Sequence, residues 1–237
     1  MKSRFKFILG YGVLIFLGIC EGSIFIKKPS FFNIFPFIFI FLMFYILLWV
    51  ETYNMLVNEL KVEKYISRLK RIFKFLLTKE SKNIILINLF TAYLFLNSEK
   101  DFLSYIDIIE ITKKTPKKVK YVYYYNLAAY KLSINEKGEA RKIFDENIKK
   151  EESLLGILLN YENNPEQKIV KLEKLLLKQK VELSKIEVKF YLGEVYEQIG
   201  NLKKARRFYN EIAEKKSDIY FVKVAKEKVL ELSSENI

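Results

Sequence analysis

Two long hydrophobic stretches open the chain, and an amphipathic pattern follows them to its end. Residues 7–26 contain a single charge, Glu21, and residues 31–50 contain none. About twenty helical residues, each adding roughly 1.5 Å, cross a hydrocarbon core of about 30 Å. Residues 27–30, Lys-Lys-Pro-Ser, separate the two stretches. The pattern predicts a transmembrane helical hairpin with spans at about 7–26 and 31–50, in a first domain of residues 1–50.

After residue 51 the apolar residues recur every three or four positions, which is the spacing of amphipathic helices. Residues 51–82 are predicted to form a juxtamembrane amphipathic helix. This helix either continues the second span, lies on anionic lipid, or caps the helices that follow. Residues 83–237 are predicted to form paired helices, closed by a helix at about 218–233. The predicted fold class is therefore all-α.

Helix-start signals support these pairs. Asn164 followed by Pro165 is the sequence of an N-cap with proline at the first helical position, in a hairpin predicted at about 152–180. Ser98 with Asp101, and Ser184 with Glu187, have the spacing of a capping box. The Ser98–Asp101 and Ser184–Glu187 spacings therefore predict helix starts near residues 98 and 184.

Basic residues are concentrated outside the hydrophobic stretches. The first fifty residues carry five Lys or Arg and one acid, whereas the remaining 187 carry 36 Lys or Arg and 27 Asp or Glu. Three basic residues precede the first span and six lie between residues 61 and 74, against two in the connecting turn. Short cytoplasmic flanks of membrane spans are rich in Lys and Arg. Both termini and the helical body are therefore predicted to be cytoplasmic, at a bacterial-type inner membrane.

The first span has an alternative interpretation as a cleaved signal peptide. Its basic start and the hydrophobic run Phe7–Ile19 fit a signal peptide, and Leu17-Gly18-Ile19-Cys20 resembles a lipoprotein processing site. Ile19, however, occupies a position that this motif gives to a small residue, and no A-x-A site follows. Cleavage would leave the placement of the body unchanged, because the second span would still end in the cytoplasm.

Three residues of the first span invite a functional interpretation. Gly18 and Gly22 form a GxxxG motif, a spacing that lets helices approach closely, either within one hairpin or between two chains of a homodimer. Glycine is also simply common in membrane helices. Glu21 is an ionisable group in a span, which favours a role in transport. It lies close to Lys27 and Lys28, so pairing at the interface is the preferred interpretation.

The residues of common catalytic and metal sites are scarce. The chain has no histidine and one cysteine, Cys20. It therefore lacks the usual general base and the commonest metal ligand, and it forms no intrachain disulfide. Neither a GxxxxGK[ST] nor a GxGxxG phosphate loop occurs in it. We expect a protein that binds other molecules, with no cofactor and no metal, and that is not an enzyme.

A repeated spacing of small and aromatic residues is clearest in residues 190–213. Its members there are Leu192, Gly193, Tyr196, Gly200, Ala205 and Tyr209. Corresponding positions earlier in the chain are Tyr124, Leu127, Ala128, Ala140 and Phe144, and before them Leu89, Tyr93, Phe102 and Ile106. This spacing resembles the tetratricopeptide repeat (TPR) family over roughly residues 83–233. The resemblance implies a superhelical stack of α-α units that binds proteins, with small residues where paired helices cross.

In TPR proteins the inner face of each repeat's first helix lines a groove for peptides or helices. The resemblance places ten residues there: Ile87, Thr91, Leu94, Tyr125, Ala129, Ser133, Phe190, Glu194, Glu197 and Gln198. Phe190 and Glu194 replace the Lys and Asn that chaperone-binding members use to hold a terminal carboxylate, so that ligand is not expected. An aromatic groove with an acidic end suits a partner helix or a basic peptide. The alternative is that these side chains only pack against neighbouring helices.

A basic run at residues 113–120 precedes four tyrosines among residues 121–125 and resembles a nucleic-acid patch. A solvated loop before a helix with tyrosines in its core is the preferred interpretation, and the lysines also suit anionic headgroups. The sequence as a whole predicts a membrane-anchored scaffold whose cytoplasmic TPR-like domain binds a protein partner. The alternatives are a structural accessory subunit of a transporter or secretion complex, and an anionic-lipid or nucleic-acid binding protein.

Overall fold

The computed structural model of the chain describes residues 31–76 and 78–234. Helices and their connections make up these residues, with no strand among them, which confirms the all-α prediction for this part of the chain. The helices are α1 (Phe31–Val57), α2 (Val62–Phe75), α3 (Lys79–Leu96), α4 (Glu99–Ile106), α5 (Lys117–Ser133), α6 (Lys137–Asn147), α7 (Leu154–Asn160), α8 (Pro165–Lys178), α9 (Glu182–Gln198), α10 (Leu202–Ala213) and α11 (Tyr220–Ser234). The predicted first span, the basic turn and the GxxxG motif lie outside the described residues.

The chain divides into two units, Met1–Thr52 and Tyr53–Ile237. In the first unit, α1 carries large apolar side chains that are exposed, with Phe44 at 69 % of its full accessibility. Among the described helices, α1 alone is long and apolar enough to cross a membrane, over Ile38–Val57, by length and composition only. This stretch overlaps the second predicted span, so the described residues contain one candidate membrane helix.

A tight turn at residues 58–61 separates α1 from α2, where the sequence predicts one amphipathic helix over 51–82. The carbonyl of Asn54 accepts the backbone N–H groups of Asn58 and Glu59, both at 3.1 Å. The Asn54 side chain donates to Glu59 Oε1 at 2.9 Å, and Leu60 adopts a left-handed φ of 56°. The two backbone hydrogen bonds satisfy the carbonyl of Asn54 at the C-terminal end of α1. A second break follows at Thr78, whose hydroxyl accepts the N–H of Ser81 as the cap of α3.

Consecutive helices of the second unit pack in pairs, α3 with α4, α5 with α6, α7 with α8 and α9 with α10. The turn predicted before Pro165 lies between α7 and α8, where the Asn164 side chain accepts the N–H of Gln167 at 3.0 Å. The two predicted capping boxes are not formed. Helix α4 begins at Glu99, as predicted near residue 98, but Ser98 donates to the carboxylate of Asp101 and caps no backbone N–H. Helix α9 begins at Glu182, so Ser184 lies inside its first turn.

An aromatic core joins α9, α10 and α11. The ring of Phe190 lies 5.9 Å from that of Tyr209 and 5.1 Å from that of Phe221, between centroids. Tyr209 and Ile212 are fully buried beside it. Each large apolar side chain buried in this way stabilises the fold by about 1.5–3 kcal/mol. Helix α11 is therefore held to the pair that precedes it by aromatic packing.

The beginning and the end of the second unit are in contact. The hydroxyl of Ser217, just before α11, donates to the carbonyl of Leu60 at 2.9 Å, although the two residues are 157 positions apart. Helix α11 also contacts α3. The last helix consequently fixes α9 relative to α3, and these two helices contribute to the cavity described next.

Candidate binding cavity

A cavity of about 310 Å³ opens among helices α3, α5 and α9 and the loop before α7; we call it the α5–α9 cavity. The side chains that define its chemistry are Thr91, Tyr121, Val122, Tyr125, Asn126, Lys150, Glu152, Ser184 and Glu187. Every one of these residues belongs to the second unit. The cavity is the place where the predicted groove residues Thr91 and Tyr125 come together.

Two tyrosines one turn apart on α5 form the aromatic wall of the cavity. The ring centroids of Tyr121 and Tyr125 lie 5.9 Å apart. The Tyr125 hydroxyl accepts the backbone N–H of Leu155 at 3.4 Å, which ties α5 to the start of α7. Burial raises the pKa of both hydroxyls above the usual value of 10. Both rings therefore remain neutral at physiological pH and present an aromatic surface.

A buried amide supplies a polar group beside this wall. Asn126 is 7 % exposed, and its Nδ2 donates to Thr91 Oγ1 at 2.6 Å. Thr91 in turn donates its hydroxyl proton to the carbonyl of Ile87 at 2.8 Å. No described residue donates a hydrogen bond to the amide oxygen of Asn126. This oxygen is an acceptor that a ligand of the cavity can use.

Glu187 places a carboxylate in the cavity from the second turn of α9. Although part of its surface faces the cavity, protein surrounds the side chain, and this desolvation raises its pKa from 4.5 to about 7. Among the described residues it forms neither a hydrogen bond nor an ion pair. The other lining acid, Glu152, instead pairs with Lys178 at 3.2 Å. Glu187 is therefore the acid of this cavity that lacks a partner within the described part of the chain.

Two other cavities each contain an ion pair in their lining. One of about 150 Å³ contains the Glu152–Lys178 pair. Another, of about 300 Å³, contains Lys79 and Glu110, whose charged atoms are 2.8 Å apart. Both pairs are largely exposed, and such pairs are screened by solvent. The α5–α9 cavity is thus the strongest candidate site in the residues that the structure describes.

The ten predicted groove residues divide between core, cavity and surface. Ile87 and Phe190 are buried, at 2 % and 3 % exposure, so they pack in the core and do not present a surface to a partner. Thr91 and Tyr125 line the cavity. The others are half-buried (Leu94, Ala129 and Glu197) or exposed (Ser133, Glu194 and Gln198). The groove expected from the sequence is therefore reduced to the cavity and the adjoining surface of α9.

Glu197 ties three helices together. Its carboxylate accepts a hydrogen bond from the Tyr209 hydroxyl at 2.9 Å, on α10. Its other oxygen accepts from Lys228 at 2.9 Å, on α11. These bonds fix its side chain, so Glu197 contributes to packing at the end of α9.

The residues of the repeated spacing are mostly core residues. Those that are buried are Leu89, Tyr93, Phe102, Ala128, Ala140, Phe144, Leu192, Gly193, Tyr196, Ala205 and Tyr209, whereas Tyr124, Leu127 and Ile106 are half-buried. A Cβ on Gly193 would stand 2.6 Å from Tyr209 Cε1, so only glycine allows this close crossing. Gly200 has a φ of 75°, a left-handed conformation that favours glycine after a helix. Close packing therefore explains the glycine at position 193, and the left-handed backbone explains the one at position 200.

The basic run at residues 113–120 was predicted to be a loop, but Lys117, Lys118 and Lys120 lie in the first turn of α5. Lys113 and Lys114 lie in the turn before α5, which begins at Lys117. Tyr123 is buried against Phe90, with the ring centroids 6.0 Å apart, and Tyr121 and Tyr125 line the cavity. Tyr123 therefore belongs to the core, whereas the rings of Tyr121 and Tyr125 belong to the wall of the cavity.

Glu187, Asn126 and Tyr121 define the site, yet the sequence did not single them out as groove residues. Tyr121 stands one turn before Tyr125, and Glu187 stands two turns before Glu194, so helical periodicity would have extended the predicted groove to both. Asn126 is a polar residue inside an apolar stripe. No family model, no curated protein and no solved structure matches this chain. The interpretation of the site therefore rests on its own geometry.

Proposed function

We propose that this protein is a membrane-anchored scaffold whose second unit is a TPR-like repeat domain that binds a protein partner at the α5–α9 cavity. The observation that carries the proposal is a cavity with an aromatic wall and a carboxylate that has no partner among the described residues. Its mechanism is binding without catalysis. The partner inserts part of its chain between α5 and α9.

The TPR-like character of the domain is supported by its paired helices and by the crossing at Gly193. Four consecutive pairs are followed by α11 on the last of them. The small residue at position 193 admits the ring of Tyr209, as the resemblance implies for a repeat. Stacked pairs of this kind present surfaces for protein binding.

The anchor is proposed to be a two-span hairpin with both termini and the second unit in the cytoplasm, at an inner membrane. The exposed apolar side chains of α1 support a membrane position for this helix, since soluble proteins rarely expose contiguous apolar surface of this extent. The basic residues at the start of the chain and after α1 support the orientation.

Site-specific photo-crosslinking in living cells tests the scaffold. Val122, 38 % exposed and lining the cavity, is replaced with p-benzoylphenylalanine in the full chain. The matched control carries the same residue at Leu230 on α11, which is 72 % exposed. We expect one discrete protein adduct at position 122 that is absent at position 230 and is abolished by the cavity-filling substitution Ser184→Phe. Identical patterns at both positions would refute binding at the cavity.

A second candidate function, binding of anionic lipid, is favoured by the exposed face of α2. Lys64, Arg71 and Lys74 are exposed on it, and Phe75 is 82 % exposed beside them. Each basic residue near an anionic surface contributes about 1 kcal/mol. A fluorophore on Phe75→Cys, in a chain whose native Cys20 is replaced with serine, should shift to the blue in nanodiscs with phosphatidylglycerol but not without it, and should revert at high salt. An unchanged spectrum would exclude this role.

A third candidate function is that of an accessory subunit of a transporter or secretion complex, with the membrane anchor itself as the interface. The exposed apolar surface of α1 is the observation that favours it. Exchanging residues 1–50 for an unrelated hairpin separates the two ideas. Retained function supports the scaffold, and lost assembly supports the subunit.

A further inference from the structure

The α5–α9 cavity combines one carboxylate, an aromatic wall and neutral acceptors, which together suit a cation. We propose that a lysine or arginine side chain of the partner enters this cavity and pairs with Glu187. The inference rests on the proposed function, because it names the part of the partner that the cavity receives. It also explains why an acidic residue occupies this position.

The charge of Glu187 has no compensating cation among the described residues that line the cavity. A carboxylate surrounded by protein is costly unless a cation or hydrogen bonds compensate it. The lining of the cavity does not do so: its lysine, Lys150 in the loop before α7, forms no ion pair with Glu187, and its other acid, Glu152, pairs with Lys178. The neighbours on α5 and α9 are the neutral hydroxyls of Tyr125 and Tyr191. A cation from outside the described chain supplies what is missing.

The other side chains that line the cavity also suit a cation. Tyr121 and Tyr125 offer ring faces, which attract ammonium and guanidinium groups. The amide oxygen of Asn126 and the hydroxyl of Ser184 line the same cavity and can accept further protons of such a group. A carboxylate, two rings and neutral acceptors form a coherent set of partners for one cation.

The size and the surroundings of the cavity favour a side chain of a polypeptide. A volume of about 310 Å³ is at the lower end of ligand sites, which span roughly 300–1,000 Å³, so it receives one side chain and not a helix. On α9 the same face continues from Glu187 through Tyr191 to the exposed Glu194. Seven helical residues span roughly 10 Å, so Glu194 offers a second acidic contact to the chain that follows the inserted residue.

The test measures binding of two fluorescein-labelled peptides to the full chain in detergent micelles. The peptides are fluorescein-Ala-Ala-Gly-Lys-Gly-Ala-Ala-amide, with the dye on the N-terminal amine so that the lysine side chain stays free, and its counterpart with norleucine in place of lysine. We expect the lysine peptide to bind at least tenfold more tightly. Glu187→Gln should remove this preference, whereas Glu214→Gln, at an exposed carboxylate after α10, should keep it. Equal binding of the two peptides, or a preference that survives Glu187→Gln, would overturn the inference.

Two further measurements keep the outcome decisive. Ser184→Lys places an ammonium group one turn before Glu187 inside the cavity and should block the lysine peptide, even if Glu187→Gln fails to fold. n-Butylammonium that competes as well as the lysine peptide would identify a free amine as the ligand and overturn the assignment to a partner side chain.

The inference and the proposed function fail separately. If the adduct at position 122 forms equally well with Glu187→Gln, the scaffold stands and the cation site falls. If the lysine peptide binds through Glu187 but position 122 gives no protein adduct, the cation site stands and the scaffold falls.

Discussion

Replacing Glu187 with glutamine should stabilise the protein, and the gain should depend on pH. Burial raises the pKa of this carboxyl from 4.5 to about 7, so the folded protein holds the proton more strongly than the unfolded chain does. The cost of ionising Glu187 is absent below pH 4.5, grows as the pH rises, and is complete above pH 7. Glutamine has nearly the same shape and never ionises, so the variant avoids this cost.

The shift sets the size of the effect. Each pKa unit corresponds to about 1.4 kcal/mol, so the shift from 4.5 to about 7 gives an upper bound of about 3 kcal/mol at pH 8. For a domain of this size, 1 kcal/mol moves the melting temperature by about 2–4 °C. We therefore expect Glu187→Gln to melt up to about 6–12 °C higher than the native protein at pH 8 and at nearly the same temperature at pH 4.5.

The assay is thermal unfolding of the full chain in detergent micelles, followed by circular dichroism from pH 4.5 to pH 8. Glu214→Gln, at an exposed site, is the control and should melt with the native protein throughout. A gain of the same size at every pH would show that packing and not ionisation is responsible. A variant less stable than the native protein at pH 8 would show that Glu187 has a stabilising partner, and the reasoning would be refuted.

Four further substitutions test the packing and backbone of the second unit by urea unfolding. Gly193→Ala should lower the free energy of unfolding by about 1–3 kcal/mol, because its Cβ meets the ring of Tyr209. Its control Gly138→Ala has open space around the new Cβ and should raise the free energy of unfolding by up to about 1 kcal/mol. Equal effects of the two substitutions would contradict the close crossing at Gly193. Gly200→Ala should cost about 1 kcal/mol, since φ is 75° there, and no loss would argue against the left-handed turn. Tyr209→Phe should cost about 1 kcal/mol through its hydrogen bond to Glu197, and an unchanged midpoint would show that water replaces this bond.

Local patterns in the sequence predicted the helices, while contacts between distant segments decided the site. The turn at Asn164 and Pro165 follows from capping chemistry that involves only neighbouring residues. The break at Leu60 could not be predicted in the same way, because neither glycine nor proline marks it, and side-chain bonds of Asn54 close the turn. The sequence pattern continues across it with helical periodicity.

The sequence predicted only part of the candidate site. Thr91 and Tyr125 were expected in the groove and do line the cavity, because their helix faces follow from periodicity. Phe190 was expected there too, but α11 covers it through Phe221. The environment of Glu187 depends on side chains of α3, α5 and the loop before α7, which are distant in sequence, and no pattern within α9 encodes that arrangement.

The contact between Ser217 and Leu60 has a consequence for how the chain folds. Arrays of helix pairs usually have only contacts between neighbours, so folding can start anywhere and spread. Here a hydrogen bond joins residues 157 positions apart, and forming such contacts requires closing a long loop, which slows folding. During synthesis, helices α2 to α10 emerge before this contact is available. The second unit therefore cannot complete its fold until α11 has left the ribosome, and a chain that ends before residue 217 lacks both this contact and α11, the helix that fixes α9 relative to α3.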